Sequence, residues 1–118
     1  MRIIFLVFDG WQMIQAAGFF PQKKTVKIEV SNNNLTYILN EKTLITDSCE
    51  SWSASIDAKT DFILHRQICY ATGTDYNYTN LIFVNNDDKI IALKYKIHPN
   101  YPSIKLTMDK YAQLDLDR

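Results

Sequence analysis

The chain has 118 residues, and its 13 Lys and Arg balance its 13 Asp and Glu, so the formal net charge is zero. This length fits a single domain, residues 1–118, and such a chain buries roughly two-thirds of its unfolded surface. Zero net charge excludes the long-range attraction used by non-specific binders of nucleic acid or acidic membranes. Within residues 41–88, eight acidic and three basic side chains predict a solvated set of acidic loops.

The first predicted element is the apolar run from Ile3 to Phe8, which stops at Asp9. It is shorter than the roughly 7 to 15 apolar residues of a secretory leader and the roughly 20 of a membrane span. We therefore predict a central β-strand that is buried on both faces. A short helix over residues 10–17 should follow, because Asp9 to Gln12 has the spacing of a capping box and Gly18 supplies a stop.

The clearest pattern in the chain is a β-hairpin around residues 31–34. The runs Thr25–Val30 and Leu35–Asn40 flank the tetrapeptide Ser-Asn-Asn-Asn, and a loop of either four or two residues gives the same register. One face is then apolar, so the sheet has an inside and an outside. The predicted pairs on the apolar face are Val26 with Leu39, Ile28 with Tyr37 and Val30 with Leu35.

Three shorter strands are predicted in the middle of the chain. They are Lys42–Thr46, Trp52–Ile56 and Asp61–Tyr70. In the second, apolar residues alternate with serine, which is typical of a half-buried strand. In the third, aromatic and β-branched residues favour a strand over a helix.

A second long hairpin is predicted between Tyr76–Val84 and Lys89–Ile97, around the loop at residues 85–88. Both faces are apolar near the turn, and one face becomes polar away from it. A last strand covers Ile104–Met108, and the tail from Asp109 should form one helical turn and then fray. The predicted pairs of the second hairpin are Val84 with Lys89, Ile82 with Ile91, Tyr78 with Tyr95, Tyr76 with Ile97, Phe83 with Ile90 and Leu81 with Ala92.

These elements predict a mainly β fold. We expect one antiparallel domain, either a β-sandwich or a partly open barrel of about seven or eight strands, with one short helix after the first strand.

The soft metal ligands of the chain are Cys49, Cys69, His65 and His98. They form no CxxC or HxxxH pair, and the glycines form no phosphate-binding loop, so we expect neither a metal nor a cofactor. Two cysteines provide one optional disulfide and no disulfide framework. This favours the reducing cytosol as the compartment of the protein.

A Cys/His-dependent hydrolase is one functional alternative, with either cysteine as nucleophile and either histidine as base. Cys49 lies between Asp47 and Glu50, and these negative charges disfavour the reactive thiolate. The carboxylate pairs at residues 87–88 and 115–117 lie in a hairpin loop and at the terminus, where water is not excluded. The sequence therefore favours a protein that is not an enzyme.

Tyrosine is the most suggestive residue type, with seven in the chain. Tyr76, Tyr78, Tyr95 and Tyr101, together with Lys96, are predicted to form a surface that binds a partner protein. The opposing interpretation places Tyr78 and Tyr95 inside the sheet as a cross-strand packing pair. Zero net charge disfavours the use of these rings for stacking on single-stranded nucleic acid.

We therefore predict a non-enzymatic protein-binding module. Low glycine and proline content with abundant Asn, Ile, Lys and Tyr indicates an AT-rich genome, such as that of a phage or mobile element, where an inhibitor or a small virion component would fit. The alternative is a small β-barrel that holds an apolar ligand. The residues predicted to line that barrel are Trp11, Trp52, Phe62 and Phe83. The partner and the oligomeric state do not follow from the sequence.

Overall fold

The computed structural model describes residues 5–18, 25–108, 114 and 116. The described residues form one antiparallel sheet of ten strands and contain no helix. The strands are β1 (Phe5–Asp9), β2 (Gln12–Ala17), β3 (Thr25–Ser31), β4 (Asn34–Leu39), β5 (Lys42–Cys49), β6 (Ser53–Ile56), β7 (Ile63–Tyr70), β8 (Asn77–Val84), β9 (Ile90–Tyr95) and β10 (Ile104–Thr107).

The sheet curls into a half-barrel, which confirms the mainly β, partly open barrel predicted from the sequence. Strands β1 to β5 lie side by side in chain order, β7 follows β5, and β8 to β10 complete the path. Strands β5 and β6 both pair with β7. Strand β6 pairs with the first half of β7, and β5 pairs with its last two residues. The inner face of the curl holds the main core, which includes Met13, Val26, Leu35, Tyr37 and Tyr95.

The β3–β4 hairpin has the predicted register. Val26 pairs with Leu39, and Ile28 pairs with Tyr37. The turn has two residues, Asn32 and Asn33, both with positive φ (49° and 65°). This geometry matches the right-handed twist of the flanking strands, and asparagine tolerates it better than most residues.

The predicted helix over residues 10–17 is wrong, because this segment is strand β2. Gly10, with a φ of 60°, turns the chain between β1 and β2. Met13 and Ala16 are both buried at a helix-like spacing, since Ile14 is an extra residue in β2 where the pairing shifts from Val7–Gln15 to Phe8–Met13. A β-bulge therefore produced the spacing that resembled a helical face.

The prediction of a central, doubly buried first strand is also wrong. Strand β1 lies at one edge of the sheet and pairs with β2 alone. Phe5 is 60% exposed and Val7 is 42% exposed. An apolar run without alternation looked doubly buried, but one of its faces is open to solvent among the described residues.

The register predicted for the second hairpin is wrong by one to two residues. Val84 pairs with Ile90 and Phe83 with Ala92, so Ile91 is an extra residue in β9. The loop predicted at residues 85–88 spans residues 85–89 between the two strands, and the Asn85 Oδ1 atom accepts the backbone N–H groups of Asp87 and Lys89 at 2.9 and 3.1 Å. Because both faces are apolar near the turn, burial alone did not select one register.

The other predicted strands are present with adjusted limits. The run Asp61–Tyr70 is confirmed as strand β7, and Ile104–Met108 contains β10. The half-buried face predicted for Trp52–Ile56 is confined to Trp52, which packs against the main core, because every residue of β6 is exposed and Ile56 is 71% exposed. The helical turn predicted after Asp109 lies largely outside the described residues.

A disulfide joins Cys49 of β5 to Cys69 of β7, which settles a pairing that the sequence left open. The two cysteines face each other directly in the sheet register, and Ser48–Tyr70 is the other pair between these strands. The bond therefore reinforces a short seam between β5 and β7. No helix among the described residues has the length and apolar character needed to cross a membrane.

Candidate functional site

One end of strands β8, β9 and β10 carries most of the predicted partner-binding residues. Tyr76 precedes β8, Tyr78 lies on β8, and Lys96 follows β9. His98 and Tyr101 lie in the connection from β9 to β10. In an antiparallel sheet the start of one strand lies beside the end of its neighbour, so these five residues come together at one end of the three strands. We call them the strand-end cluster.

The ammonium group of Lys96 lies over two tyrosine rings. Its Nζ atom is 4.3 Å from the centroid of the Tyr78 ring and 5.3 Å from that of Tyr76. The two rings are stacked, with centroids 6.3 Å apart and an interplanar angle of 26°. Both distances are within the range of a cation–π interaction, which holds the Tyr76 ring in place without covering it.

The backbone of Lys96 is fixed by a buried amide side chain. Asn80 Oδ1 accepts the Lys96 N–H at 3.0 Å, and Asn80 Nδ2 donates to Gln67 Oε1 at 3.3 Å. Strand β9 ends at Tyr95, so the side chain of Asn80 supplies the next hydrogen bond in place of a backbone carbonyl. Lys96 therefore leaves the sheet at a defined position.

Tyr78 is anchored from below by a buried carboxylate. Its hydroxyl donates to Asp47 Oδ2 at 2.6 Å, and the Thr72 N–H donates to Asp47 Oδ1 at 3.0 Å. The Tyr37 hydroxyl lies 3.1 Å from both the Tyr78 hydroxyl and the Lys96 carbonyl oxygen, so its single proton has two acceptors within reach. Asp47 is only 1% exposed, and these contacts satisfy a carboxylate that would otherwise be costly to bury.

The same environment shifts several pKa values. Burial raises the pKa of the Tyr78 hydroxyl, and the nearby Tyr37 and Asp47 raise it further. Burial also raises the pKa of Tyr37. Burial lowers the pKa of Lys96, while the negative charge of Asp47 acts in the opposite direction. The tyrosines are therefore held neutral, and Asp47 favours the charged form of Lys96.

Tyr101 extends the strand-end cluster toward solvent. Its ring packs on His98 with centroids 4.6 Å apart, and His98 Nδ1 accepts the Asn100 N–H at 3.1 Å. Burial lowers the pKa of His98, and the positive charge of Lys96 lowers it further. Tyr76 is 58% exposed and Tyr101 is 51% exposed, so both present ring surface outward.

Tyr95, the remaining predicted partner-binding residue, is fully buried in the main core and presents no surface to a partner. Its hydroxyl accepts the Met13 N–H at 3.1 Å and the Gln12 side-chain amide at 2.9 Å. Phe8 packs against its ring edge-on, with centroids 6.4 Å apart. Tyr95 thus holds β2 against β9 across the curl of the sheet, and burial raises its pKa.

A groove of about 350 Å³ opens beside the strand-end cluster, and we call it the strand-end groove. It crosses the sheet over β9, with walls from the start of β8 and the start of β10. Its lining residues are Tyr76, Asn77, Tyr78, Thr79, Lys94, Pro102, Ser103 and Lys105.

The residues considered for other functions are dispersed. Trp11 and Trp52 border the inner core, whereas Phe62 and Phe83 belong to a separate cluster. His65 stacks on Trp11 with centroids 4.1 Å apart. The two cysteines are bonded to each other, so neither is a thiol in this structure. No group of three metal-ligating residues comes together within the described part of the chain.

Sequence reasoning missed the roles of Asp47 and Tyr37 in the hydrogen bonds beneath the strand-end cluster. A signal for Asp47 was present, because it alternates with Ile45 and Cys49 on the inward side of β5. An acidic residue at an inward strand position needs a buried partner, and a tyrosine hydroxyl is one of the few candidates.

Comparisons with family models, with curated proteins and with solved structures give no match for this chain.

Proposed function

We propose that this protein is a non-enzymatic module that binds another protein through the two exposed rings of the strand-end cluster, Tyr76 and Tyr101, and through the strand-end groove. The observation that carries the proposal is the setting of Tyr76. Its ring is more than half exposed, yet stacking on Tyr78 and the charge of Lys96 hold it in one position. A fixed, exposed aromatic ring beside a groove is the usual form of an energetic anchor in protein recognition.

The anchoring below the cluster supports the same function. The hydrogen bonds from Tyr78 and Thr72 to Asp47 fix the Tyr78 ring, on which Tyr76 stacks, before a partner binds. A preorganised surface loses little side-chain entropy on binding, which raises the affinity available from a small contact area.

The disulfide bears on where the protein works. A bonded Cys49–Cys69 pair is typical of oxidising compartments and is rare in the cytosol. We include in the proposal that the protein functions where this bond persists, in place of the reducing cytosol expected from its sequence.

The binding function can be tested with a peptide library, which requires no choice of partner. A library of random decapeptides displayed on phage is selected against the immobilised full chain, and the enriched peptide is synthesised for calorimetry. The Tyr76→Ala variant should bind that peptide about 30-fold more weakly, the effect of losing an anchor worth about 2 kcal/mol. The Tyr101→Ala variant should show a smaller loss.

The matched control is Phe5→Ala. Phe5 is an aromatic residue of similar exposure, 60%, at the opposite edge of the sheet. Its variant should keep the affinity of the unmodified chain. Equal losses at Phe5 and Tyr76, or no enrichment of any peptide, would overturn the proposed surface.

A further inference from the structure

Two segments of the chain match Asn-x-Thr, the acceptor motif for N-linked glycosylation. They are Asn34-Leu35-Thr36 and Asn77-Tyr78-Thr79, and each begins a strand, β4 and β8 respectively. We propose that Asn34 is an acceptor for an N-linked oligosaccharide. This inference rests on the part of the proposed function that places the protein in an oxidising compartment, and it does not depend on the binding surface.

The side-chain amide of Asn34 is exposed, and it makes no hydrogen bond to another described residue. Its neighbour Asn33 differs, because the Asn33 Nδ2 atom donates to the Ser51 hydroxyl at 3.1 Å. The amide of Asn80 is buried and donates to Gln67. The sugar is attached at Nδ2, so Asn34 meets the first requirement of an acceptor.

The surface around Asn34 is polar, and its side chains are short. In the sheet register Asn34 lies between Ser31 of β3 and Ser48 of β5, and both serines are exposed. Thr36 lies two residues along β4, so it projects on the same face, where its hydroxyl is 2.8 Å from that of Thr46. An oligosaccharide on Asn34 therefore extends into water from a hydrophilic face and displaces no packed apolar side chain.

The second acceptor motif has a more crowded setting. Asn77 lines the strand-end groove, and its register partner is Tyr70, whose large side chain is 47% exposed. Ser48 pairs with both Asn34 and Tyr70, so the two asparagines lie in one row of the outer face, three strand spacings or roughly 14 Å apart. A sugar on Asn77 has to fill the groove, whereas Asn34 has a serine on each side.

The disulfide is a second, independent observation that points to the same modification. Oligosaccharide is transferred to proteins in the lumen of the endoplasmic reticulum, an oxidising compartment in which disulfides also form. The Cys49–Cys69 bond is therefore expected of a chain that meets the transferase. A chain confined to the reducing cytosol would carry neither the bond nor the sugar.

The co-reactant is an oligosaccharide joined through a diphosphate to a membrane lipid. The Asn34 Nδ2 atom forms a bond to the anomeric carbon of the first sugar and loses one proton. The bond from that carbon to the diphosphate oxygen breaks, and the lipid diphosphate leaves with its electron pair. No atom is oxidised or reduced, and the product is a glycosylated amide.

The test is expression of the full chain in insect cells behind a cleavable secretory leader. The product is treated with peptide N-glycosidase in heavy-oxygen water, which converts each glycosylated asparagine to a labelled aspartate that peptide mass spectrometry locates. We expect the label at position 34 in most molecules. Chain that stays in the cell is analysed in the same way, because the sugar is added in the lumen before export.

The matched variants are Thr36→Ala and Thr36→Ser, which both keep Asn34. Thr36→Ser keeps the motif and its hydroxyl, so it should retain the sugar, whereas Thr36→Ala should lose it. The glycosylated chain should unfold at the same urea midpoint as the enzymatically deglycosylated chain, because the sugar contacts no core residue. An unlabelled position 34 in the unmodified chain, or a sugar there that lowers the urea midpoint, would overturn the inference.

The outcomes separate this inference from the proposed binding surface. If Asn34 carries no sugar and the decapeptide still binds through Tyr76, the inference is wrong and the binding surface stands. If Asn34 carries sugar and the library enriches no peptide, the inference stands and the binding surface is wrong.

Discussion

Five described tyrosines of the half-barrel fall into two groups that use different parts of the side chain. Tyr37, Tyr78 and Tyr95 are at most 4% exposed, and each hydroxyl has a hydrogen-bond partner inside the sheet. Tyr76 and Tyr101 lie at the ends of the strands and are more than half exposed. We call the three buried tyrosines the inner group and Tyr76 with Tyr101 the exposed pair. The inner group contributes to folding through its hydroxyls, and the exposed pair offers ring surface to a partner.

This division shows how one residue type serves two roles within a few positions of the chain. Tyr76 and Tyr78 are two residues apart and their rings stack, yet only Tyr78 reaches Asp47. Substitutions in the inner group should change stability, and substitutions in the exposed pair should change binding.

Alkaline pH should produce the largest effect on the inner group. Burial raises the folded-state pKa of Tyr37, Tyr78 and Tyr95, so their contribution is complete below the unfolded value near 10 and is lost as pH rises above it. At pH 11 the three groups together should reduce the free energy of unfolding by about 4 kcal/mol. The measurement is the urea midpoint at pH 9 and pH 11, with the absorbance of tyrosinate recorded in parallel. Ionisation of all the tyrosines before unfolding would contradict the inner group.

Loss of the disulfide should have the next largest effect. Its 20-residue separation corresponds to a loop-closure contribution of about 3 kcal/mol. The bond also holds β5, which carries Asp47, against β7, where Cys69 pairs with Tyr78 of β8. The double variant Cys49→Ala with Cys69→Ala should lower the free energy of unfolding by that amount in a urea titration. A reducing agent added to the unmodified chain should reproduce the shift, and it should leave the double variant unchanged.

The Tyr78→Phe variant should lower the free energy of unfolding by about 2 kcal/mol, because it removes a hydrogen bond to a buried carboxylate. Tyr37→Phe is the matched comparison and should cost about 1 kcal/mol, since the lost bonds are to neutral acceptors. Thermal and urea unfolding of both variants measure the difference. Equal costs for the two variants would show that Asp47 does not depend on Tyr78.

The smallest effect on stability is expected at Tyr76. Its ring is exposed and its hydroxyl is not part of the buried network, so Tyr76→Ala should lower the free energy of unfolding by only about 0.5 kcal/mol, the size of an exposed cation–π contact. The same urea titration checks this value. A cost comparable to that of Tyr78→Phe would place Tyr76 in the inner group and remove the basis for the binding surface.

The first hairpin was predictable because its sequence satisfies two constraints at once. Only one face of β3 and β4 is apolar, and Asn32 with Asn33 provides a two-residue turn. A slip by one residue would expose the buried side chains, so the register is strongly specified. The second hairpin lacks this constraint near its turn, and its bulge at Ile91 depends on packing on both faces.

The strand-end cluster was predictable only in part. Proximity of Tyr76, Tyr78 and Lys96 followed from the hairpin, but the burial of Tyr95 depends on contacts from β2. Those contacts exist because residues 12–17 form a strand that curls over β9, where a helix was expected. Local patterns describe each hairpin, whereas the closure of the half-barrel depends on residues that are far apart in the chain.

Nitration of tyrosines in the native protein, followed by mass spectrometry of its peptides, tests the division of the tyrosines most directly. Tetranitromethane should modify Tyr76 and Tyr101 while the protein is folded. It should reach Tyr37, Tyr78 and Tyr95 only after denaturant is added. Modification of Tyr78 at the rate of Tyr76 under native conditions would contradict the division into an inner group and an exposed pair.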